Sequence, residues 1–299
     1  MQTASPYPLV FEPFVRSAPW GEERWLASGL PEHPSVVANG AFAGLPLPDV
    51  CRALGPALLG SRAADAGTLP LIVKDITADE ALSLQLHPDA RAAEAVGGEA
   101  KTEAWHVLSA APGASIFAGW KDGVGIDDVR AALGGAAIAE LVERLPVSAK
   151  DTFLLPGGVV HALGGGLRVL EAQQCSDTTY RLYDWGRKGP DGKCRELHLE
   201  KALRCMEVSG VDVRPVRCQD GNVSCGYFTI GTTQLSAAAD FPADGLSFRM
   251  LFATGGKVAV ASDGFPETVL EESAVFLPAS VSASARPLSG GARLVTVSM

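Results

Sequence analysis

The stretch Ala81–Asp89, which reads ALSLQLHPD, alternates apolar and polar residues along most of its length. Successive side chains of a β-strand point to opposite faces, so one face of this strand would carry only leucines. The opposite face would carry a hydroxyl, a carboxamide and an imidazole, from Ser83, Gln85 and His87. An exposed antiparallel strand alternates in the same way with its polar face in water. The pattern therefore predicts a strand, and it leaves open whether the polar face is solvated or lines a site.

Short β-rich segments of this kind occur along the first two thirds of the chain. The sequence contains 33 glycines and 20 prolines, which fall between these segments. Many short strands separated by turn residues are typical of a β-sandwich or barrel. The other predicted strands of this part are YPLVFEPFV (7–15), LPLIVKDI (69–76), EAWHVLSA (103–110), ASIFAGW (114–120), DTFLLP (151–156), LRVLEAQQ (167–174) and TTYRLYDW (178–185).

Helical spacing of apolar residues occurs at residues 48–60, 125–145 and 197–208. The middle segment lies between strand-rich blocks, so it predicts a small helical insertion into a β-domain. From residue 216 onward the sequence returns to strands, and all the histidines precede this block: His33, His87, His106, His161 and His198. We therefore expect a first domain at residues 1–215, which holds any histidine-based metal site, and a second β-domain at residues 216–299.

The composition is that of a soluble globular protein, with 299 residues of which 47% are hydrophobic and 20% charged. The formal net charge is −9 and no stretch is strongly basic, which argues against a nucleic-acid partner. No segment has the length of a membrane span and the first 20 residues lack a signal pattern, so we expect no membrane association and a cytoplasmic location. The six cysteines include no CxxC pair, which favours free thiols over disulfides.

Two further segments carry polar residues that can meet those of the 81–89 strand. In KTEAW, Lys101 and Glu103 share a strand face, and in LLPGGVVHAL a P-x-G-x-x-H turn leads into a strand at His161. If three strands of one barrel point these groups inward, two imidazoles, a carboxylate and a carboxamide converge, which is a set that suits zinc. A glutamine oxygen is an uncommon zinc ligand, and a lone buried histidine is commonly satisfied by a backbone carbonyl. The spacings alone leave the metal site open.

A third polar group lies in the segment LRVLEAQQCSDTTYRLYDWGR, where Asp177 and Arg181 follow Glu171 across a turn-like stretch. An arginine close to a metal site can hold a phosphate or stabilise a developing oxyanion. The alternative is an ordinary surface ion pair, which is common at strand ends. Lys74 interrupts the apolar run PLIVKDI and is either an edge-strand gatekeeper or an inward-facing anion ligand.

Four sequence elements follow one another along the chain: Q-x-H-P (85–88), K-x-E-x-W (101–105), P-x-G-x-x-H-A (156–162) and S-D-x-x-x-R (176–181). Their order resembles that of the class I mannose-6-phosphate isomerases (phosphomannose isomerases) in their short bacterial form. The similarity extends from VFEPF and HPSVVANG to the C-terminus. The resemblance implies a mainly β fold, a cupin (jelly-roll) β-barrel with a small helical insertion, followed by a second, metal-free cupin-like β-domain. It also implies one zinc ion per chain.

Carried over position by position, the resemblance implies a role for each of ten residues. The implied zinc ligands are Gln85, His87, Glu103 and His161. The residues implied near the substrate phosphate are Lys74 and Ser83. Those implied around the sugar are Lys101, Glu171, Asp177 and Arg181.

Two places depart from the family pattern. The family has a longer segment between its W-G and G-E-x-W elements, whereas here both fall within WGEERWLASG (20–29), which would remodel one wall of the site. Lys150 stands where a glycine commonly precedes DTF. We expect this second change to affect only a turn.

The function implied by the resemblance is that of a metal-dependent aldose–ketose isomerase, which interconverts mannose 6-phosphate and fructose 6-phosphate through a cis-enediol. Its partner would be a small phosphorylated sugar, and the chain would be a monomer or a weak homodimer. Two alternatives keep the fold: a non-catalytic sugar-phosphate-binding sensor, and a cupin isomerase with a different sugar substrate. A cupin oxygenase would need a redox-active metal, which metal analysis would detect.

Overall fold

The computed structural model describes residues 5–189, 192–218 and 221–299. The chain divides into two compact units. The central unit comprises Val15–Arg24 and Asp75–Asp220, and the terminal unit comprises Met1–Phe14, Trp25–Lys74 and Gly221–Met299. The division into residues 1–215 and 216–299 that the sequence suggests stays a prediction.

The secondary structure is mainly β, as the sequence pattern predicts. The strands are β1 (Phe11–Glu12), β2 (Phe14–Ala18), β3 (Gly21–Ser28), β4 (Val36–Val37), β5 (Leu71–Ala78), β6 (Leu84–Leu86), β7 (Glu103–Ala110), β8 (Ser115–Trp120), β9 (Val142–Pro146), β10 (Thr152–Leu155), β11 (His161–Leu163), β12 (Leu167–Gln174), β13 (Tyr180–Tyr183), β14 (Val216–Cys218), β15 (Val223–Ser224), β16 (Thr229–Leu235), β17 (Ala239–Phe241), β18 (Arg249–Thr254), β19 (Val258–Ser262), β20 (Phe265–Leu270), β21 (Ser273–Leu277), β22 (Ala283–Pro287) and β23 (Ala292–Ser298). The helices are α1 (Leu47–Leu54), α2 (Pro56–Leu59), α3 (Ala90–Val96), α4 (Ile126–Ala132), α5 (Ala137–Glu140) and α6 (Leu199–Ser209). In the described parts of the chain, no helix has the length and apolarity to cross a membrane.

Two sheets run through the central unit. The larger has the strand order β14-β10-β7-β12-β5-β3-β2, and the smaller has the order β13-β6-β11-β8-β9. Apolar side chains from both sheets share one core, to which Trp105 and Phe153 contribute from the larger sheet and Ile116 and Leu163 from the smaller. The two sheets therefore face each other across a common interior, as in a sandwich or barrel.

Helices cover the other face of the smaller sheet, and this decides the orientation of β6. Leu84 and Leu86 are fully buried in a second apolar cluster with Val129 of α4, Ile138 of α5 and Met206 of α6. Because side chains alternate along a strand, Gln85 of β6 and the flanking Ser83 and His87 point the opposite way, toward the larger sheet. The polar face of ALSLQLHPD therefore lines the interior and is not a solvated surface.

The terminal unit contains two further sheets and a small ribbon. The sheet orders are β15-β16-β23-β18-β21 and β17-β22-β19-β20, and β1 pairs with β4. The two sheets share a core to which Leu251, Val258, Val275 and Leu294 contribute. The strand-rich block predicted after residue 216 is confirmed as β14 to β23.

The predicted helices are confirmed only in part. Residues 197–208 coincide closely with α6. The segment 48–60 forms two helices, α1 and α2, because Gly55 adopts a φ of 52° and Pro56 follows it. Glycine tolerates this conformation and proline cannot continue the preceding hydrogen-bond ladder, so the helix restarts there.

The helical insertion predicted at 125–145 is wrong in its last part. Helices α4 and α5 are short and flank Gly134, whose φ is 76°. The remaining residues form β9, which pairs antiparallel with β8. Exposure alternates along β9 from the buried Val142, which is the period of a strand and not of a helix.

Helix α3 was not predicted from the sequence, although its end signals are present. The carboxylate of Asp89 accepts a hydrogen bond from the backbone N–H of Ala92 at 2.7 Å, which caps the N-terminus. Gly97, with a φ of 73°, ends the helix in the left-handed conformation. With only seven residues, α3 is too short for a clear apolar period.

Two local expectations have structural counterparts. Lys150 lies in an exposed turn before β10 and adopts a φ of 83°, a region that glycine enters at lower cost. No disulfide links the six cysteines, as the absence of a CxxC pair indicates. Of these, Cys51 and Cys205 are buried, and burial raises the pKa of their thiols to about 11 and about 12.

Candidate metal centre and active site

Three strands bring the predicted metal-binding side chains together inside the central unit. His87 follows β6 directly, Glu103 begins β7 and His161 begins β11. One ligand atom from each of these residues lies within 4.8 Å of the others. All three side chains are buried, with about 1% of their surface exposed. The sheet registers therefore produce the convergence that the sequence spacings left open.

Backbone carbonyls fix the protonation of both imidazoles. His87 Nδ1 lies 2.8 Å from the carbonyl oxygen of Thr178, and His161 Nδ1 lies 2.9 Å from that of Val159. A carbonyl oxygen only accepts hydrogen bonds, so each Nδ1 carries the proton and donates it. Each Nε2 of a neutral ring then has a lone pair available for a metal.

The two Nε2 atoms face a carboxylate and not a donor. His87 Nε2 is 3.1 Å from Glu103 Oε2, and His161 Nε2 is 3.3 Å from Glu103 Oε1. Within the described residues, neither Nε2 atom has a hydrogen-bond partner. Buried polar atoms without partners are rare, and a lone pair opposite a carboxylate is unfavourable unless a cation lies between them. The three residues therefore fit a divalent cation.

The pKa values of the cluster agree with this assignment. Burial, reinforced by the nearby Lys101 ammonium, lowers the pKa of His87 to about 3, and burial also lowers the pKa of His161. Burial alone would raise the pKa of Glu103, but Lys101 and the two imidazoles hold it well below its usual value. Lys101 Nζ lies 3.0 Å from Glu103 Oε2. At neutral pH the cluster thus offers two neutral imidazoles and one charged carboxylate, which suit zinc.

Gln85 lies beside this cluster, directly opposite His161 in the β6–β11 pairing. Cross-strand partners point to the same face of a sheet, so the carboxamide and the imidazole share the interior face. Gln85 Oε1 accepts a hydrogen bond from Ser83 Oγ at 3.0 Å, and Ser83 Oγ accepts one from Arg181 Nε at 3.2 Å. The predicted ligand Gln85 and the predicted phosphate ligand Ser83 are therefore linked to Arg181.

Arg181 is held in place by a segment that the sequence analysis did not identify. Its Nη1 donates to the carbonyl oxygen of Glu196 at 2.8 Å. The backbone N–H of Arg181 donates to His198 Nδ1 at 3.2 Å, and the backbone N–H of His198 donates to the carbonyl oxygen of Arg181 at 2.8 Å. Partial burial lowers the pKa of the guanidinium. The residues before α6 thus anchor Arg181, and no local sequence pattern indicates this.

Glu171 and Asp177 differ sharply in environment. Glu171, on β12, is 4% exposed, and its Oε2 accepts a hydrogen bond from Trp105 Nε1 at 2.8 Å. Asp177 is exposed on the loop between β12 and β13, next to the Thr178 carbonyl that binds His87. Glu171 therefore faces the interior with the cluster, while Asp177 lies on the surface of the loop.

Lys74 is a buried cation of the terminal unit. It is 5% exposed, and its Nζ lies 4.9 Å from the centroid of the Trp25 ring, a cation–π contact. Strand β5 has neighbours on both sides, β12 and β3, so Lys74 does not lie on an edge strand. The gatekeeper interpretation of this lysine is therefore wrong.

Comparisons with known proteins point to a single family. A family model described as phosphomannose isomerase type I, catalytic domain, matches residues 10–106. The mannose-6-phosphate isomerase of Streptococcus mutans is 39% identical over 187 residues, which is 62% of this chain and 58% of the relative. The mannose-6-phosphate isomerase ManA of Bacillus subtilis is 33% identical over 261 residues, which is 78% of this chain and 81% of the relative.

Solved structures share the fold over nearly the whole chain. The mannose 6-phosphate isomerase from Bacillus subtilis has a TM-score of 0.84 at 24% identity and covers 98% of this chain and 99% of its own. A zinc-bound mannose 6-phosphate isomerase has a TM-score of 0.70 at 16% identity, with coverage of 98% and 99%. At these identities the structures support the fold alone.

The facing sheets and the buried His–Glu–His cluster define a cupin with a candidate metal centre. The match to ManA spans most of both chains, at 33% identity. The chain belongs to the type I phosphomannose isomerase family, the mannose-6-phosphate isomerases.

Proposed function

We propose that this protein is a zinc-dependent isomerase that interconverts mannose 6-phosphate and fructose 6-phosphate. The observation that carries the proposal is the buried cluster of two imidazole lone pairs and one carboxylate, in a chain of this family. The sensor alternative and the different-sugar alternative share the fold, but no contact in the described residues favours either.

One zinc ion per chain would be held by His87, Glu103 and His161, with Gln85 as a further ligand beside His161. Gln85 Oε1 accepts only one hydrogen bond from Ser83, and a carboxamide oxygen has a second lone pair for a metal. Bound zinc supplies a Lewis acid that stabilises negative charge on the oxygens of the sugar.

The reaction requires a group that takes a proton from one carbon and returns it to the next. Interconversion of an aldose and a ketose moves a proton between C1 and C2 of the open-chain sugar through a cis-enediol. Glu171 is the proposed base, because its carboxylate is buried and one of its oxygens is held by a hydrogen bond. Arg181 and Lys101 are proposed to stabilise the oxyanion that develops as the proton leaves.

The remaining roles rest on the family resemblance. Lys74 and Ser83 are the residues proposed to bind the phosphate, and Asp177 is proposed to assist ring opening from its loop. A cytoplasmic location and a monomeric or weakly dimeric state remain predictions.

The proposal is tested by a coupled assay of the purified protein with mannose 6-phosphate, which follows the formation of fructose 6-phosphate. We expect activity that disappears on chelation, returns with zinc and stays absent when magnesium is added instead. Calorimetry with the same sugar phosphate separates binding from turnover. A folded, zinc-loaded protein that binds mannose 6-phosphate without converting it would contradict the isomerase proposal and support the sensor.

A further inference from the structure

Trp105 lies between the proposed base and a proposed metal ligand. It is directly opposite Glu171 in the β7–β12 pairing and is 2% exposed. Its indole N–H donates to Glu171 Oε2 at 2.8 Å. Its ring also packs edge-to-face against the His161 imidazole, with centroids 5.4 Å apart and an interplanar angle of 79°. One side chain therefore contacts both parts of the site.

The indole contact restricts how the carboxylate can move. The terminal torsion of a glutamate side chain is broad and has no strongly preferred value, so a carboxylate rotates easily unless a neighbour holds it. An indole N–H is a donor only, and here it is fixed by burial and by the packing against His161. The hydrogen bond therefore fixes Glu171 relative to the ligand cluster without itself exchanging a proton.

We propose that Trp105 is a positioning residue, which orients Glu171 for proton transfer between C1 and C2. The inference rests on the proposed function, in which Glu171 is the base. Proton transfer requires the base within hydrogen-bond reach of the carbon-bound proton, and small displacements cost rate without weakening substrate binding. Trp105 therefore acts on the catalytic rate constant and not on the affinity for the sugar phosphate.

The test compares Trp105→Phe with Trp120→Phe in the zinc-loaded enzyme. Both substitutions remove an indole from a buried position, since Trp120 is also 2% exposed. Trp120 belongs to the second apolar cluster, between the smaller sheet and the helices. We expect Trp105→Phe to lower kcat by about 10-fold or more, as loss of a supporting hydrogen bond commonly does. KM should change less than roughly twofold, because the residues proposed to bind the sugar phosphate are unchanged. Trp120→Phe should leave both constants near those of the wild type, and zinc content should be equal in all three proteins.

A double-mutant cycle separates positioning from general loss of packing. In a Glu171→Gln background the base is already absent, so adding Trp105→Phe should lower the residual rate less than roughly twofold. A purely structural role would lower the rate equally in both backgrounds. Equal effects in both backgrounds, or an unchanged kcat in Trp105→Phe alone, would overturn the proposal.

A second variant covers the case in which Trp105→Phe fails to fold. Glu171→Asp shortens the acidic side chain by one methylene. It therefore removes the acceptor of the same hydrogen bond while Trp105, the donor, is kept. We expect it to lower kcat while KM and zinc content stay near the wild-type values; a wild-type kcat would overturn the role of Trp105. Absence of isomerisation in the wild-type enzyme would instead refute the proposed function, and the role of Trp105 with it.

Discussion

At the scale of single residues, the site is defined by the imidazoles of His87 and His161, which both face the carboxylate of Glu103. Each Nδ1 donates to a backbone carbonyl, so each Nε2 has a lone pair directed at the Glu103 carboxylate. Lys101 offsets part of the negative charge from one side. A cation between these groups would remove the remaining repulsion, so binding of zinc should stabilise the folded state.

Zinc should therefore raise the free energy of unfolding, and His161→Ala should abolish the effect. With free zinc at about 100 times its dissociation constant, a single site adds about 2.7 kcal/mol. Thermal unfolding of the chelated protein, with and without added zinc, measures this. His106→Ala is the matched control, because His106 is equally buried but its Nδ1 lies 2.8 Å from Thr152 Oγ1, outside the cluster. An equal zinc-induced shift in both variants would contradict the assignment of His161.

The residues that converge at the site were easier to predict from the sequence than the hydrogen-bond partners that hold them in place. The local patterns make His87, Glu103 and His161 candidates, and the family resemblance selects them as metal ligands; the structure brings the three together. The carbonyl of Thr178 could not be identified, because every residue has a carbonyl and only the tertiary fold selects one. Trp105 is part of the K-x-E-x-W element, but its hydrogen bond depends on the register of β7 with β12.

At the scale of elements, the strands could be predicted more fully than the helices. A strand such as β6 has one face buried by helices and one that lines the site, so its alternation persists in the sequence. The segment 125–145 has apolar residues that fit a helical spacing throughout, yet its end pairs with β8 as β9. That pairing depends on residues distant in sequence, which a local pattern does not contain.

The turn that contains Lys150 provides a prediction at this scale. A non-glycine residue with a φ of 83° is strained by about 1–2 kcal/mol. A glycine at this position avoids the strain, but folding costs about 0.5–1 kcal/mol more because glycine loses more conformational entropy. Lys150→Gly should therefore stabilise the protein by up to about 1.5 kcal/mol, since the hydrogen bond from its backbone N–H to the carbonyl of Val107 is retained. Denaturant unfolding measures the change.

The matched control for this substitution is Lys121→Gly. Lys121 is also exposed and its backbone N–H donates to the carbonyl of Leu141, but its φ is not positive. Glycine there should destabilise slightly, because only the entropy cost remains. If both substitutions shift stability in the same direction, strain at Lys150 is not the cause.

At the scale of the whole molecule, the order of elements along the chain made the fold predictable. The four motifs lie on β6, β7, β11 and the approach to β13, and the two facing sheets of the central unit bring them together. The division into compact units was harder to predict, because the terminal unit takes residues from both ends of the sequence. The composition along the sequence does not show that the C-terminal residues pack in the same unit as the N-terminal ones.

The dependence of stability on pH is a property of the whole molecule to which buried carboxylates contribute most. Asp184 accepts hydrogen bonds from Arg195 Nη2 at 2.6 Å and from Arg187 Nη2 at 2.5 Å. Burial would raise the pKa of this carboxyl, but the two guanidinium groups hold it below its ordinary value. The folded state therefore binds fewer protons than the unfolded state near that value. The stabilisation is fully present above the unfolded pKa and is lost as pH falls through the folded pKa.

Asp184→Asn should remove this contribution, at a cost of about 1.5–3 kcal/mol at pH 7, which is typical for hydrogen bonds to a charged group. Because the stabilisation of the wild type vanishes in acid, the difference in unfolding free energy between the two proteins should shrink below about pH 4. Asp122→Asn is the control, since Asp122 is fully exposed in its ion pair with Arg214 and such exposed pairs contribute little to stability. Denaturant titrations from pH 7 to acid measure all three proteins. A difference between wild type and Asp184→Asn that stays constant with pH would show that the lowered pKa of Asp184 does not stabilise the fold.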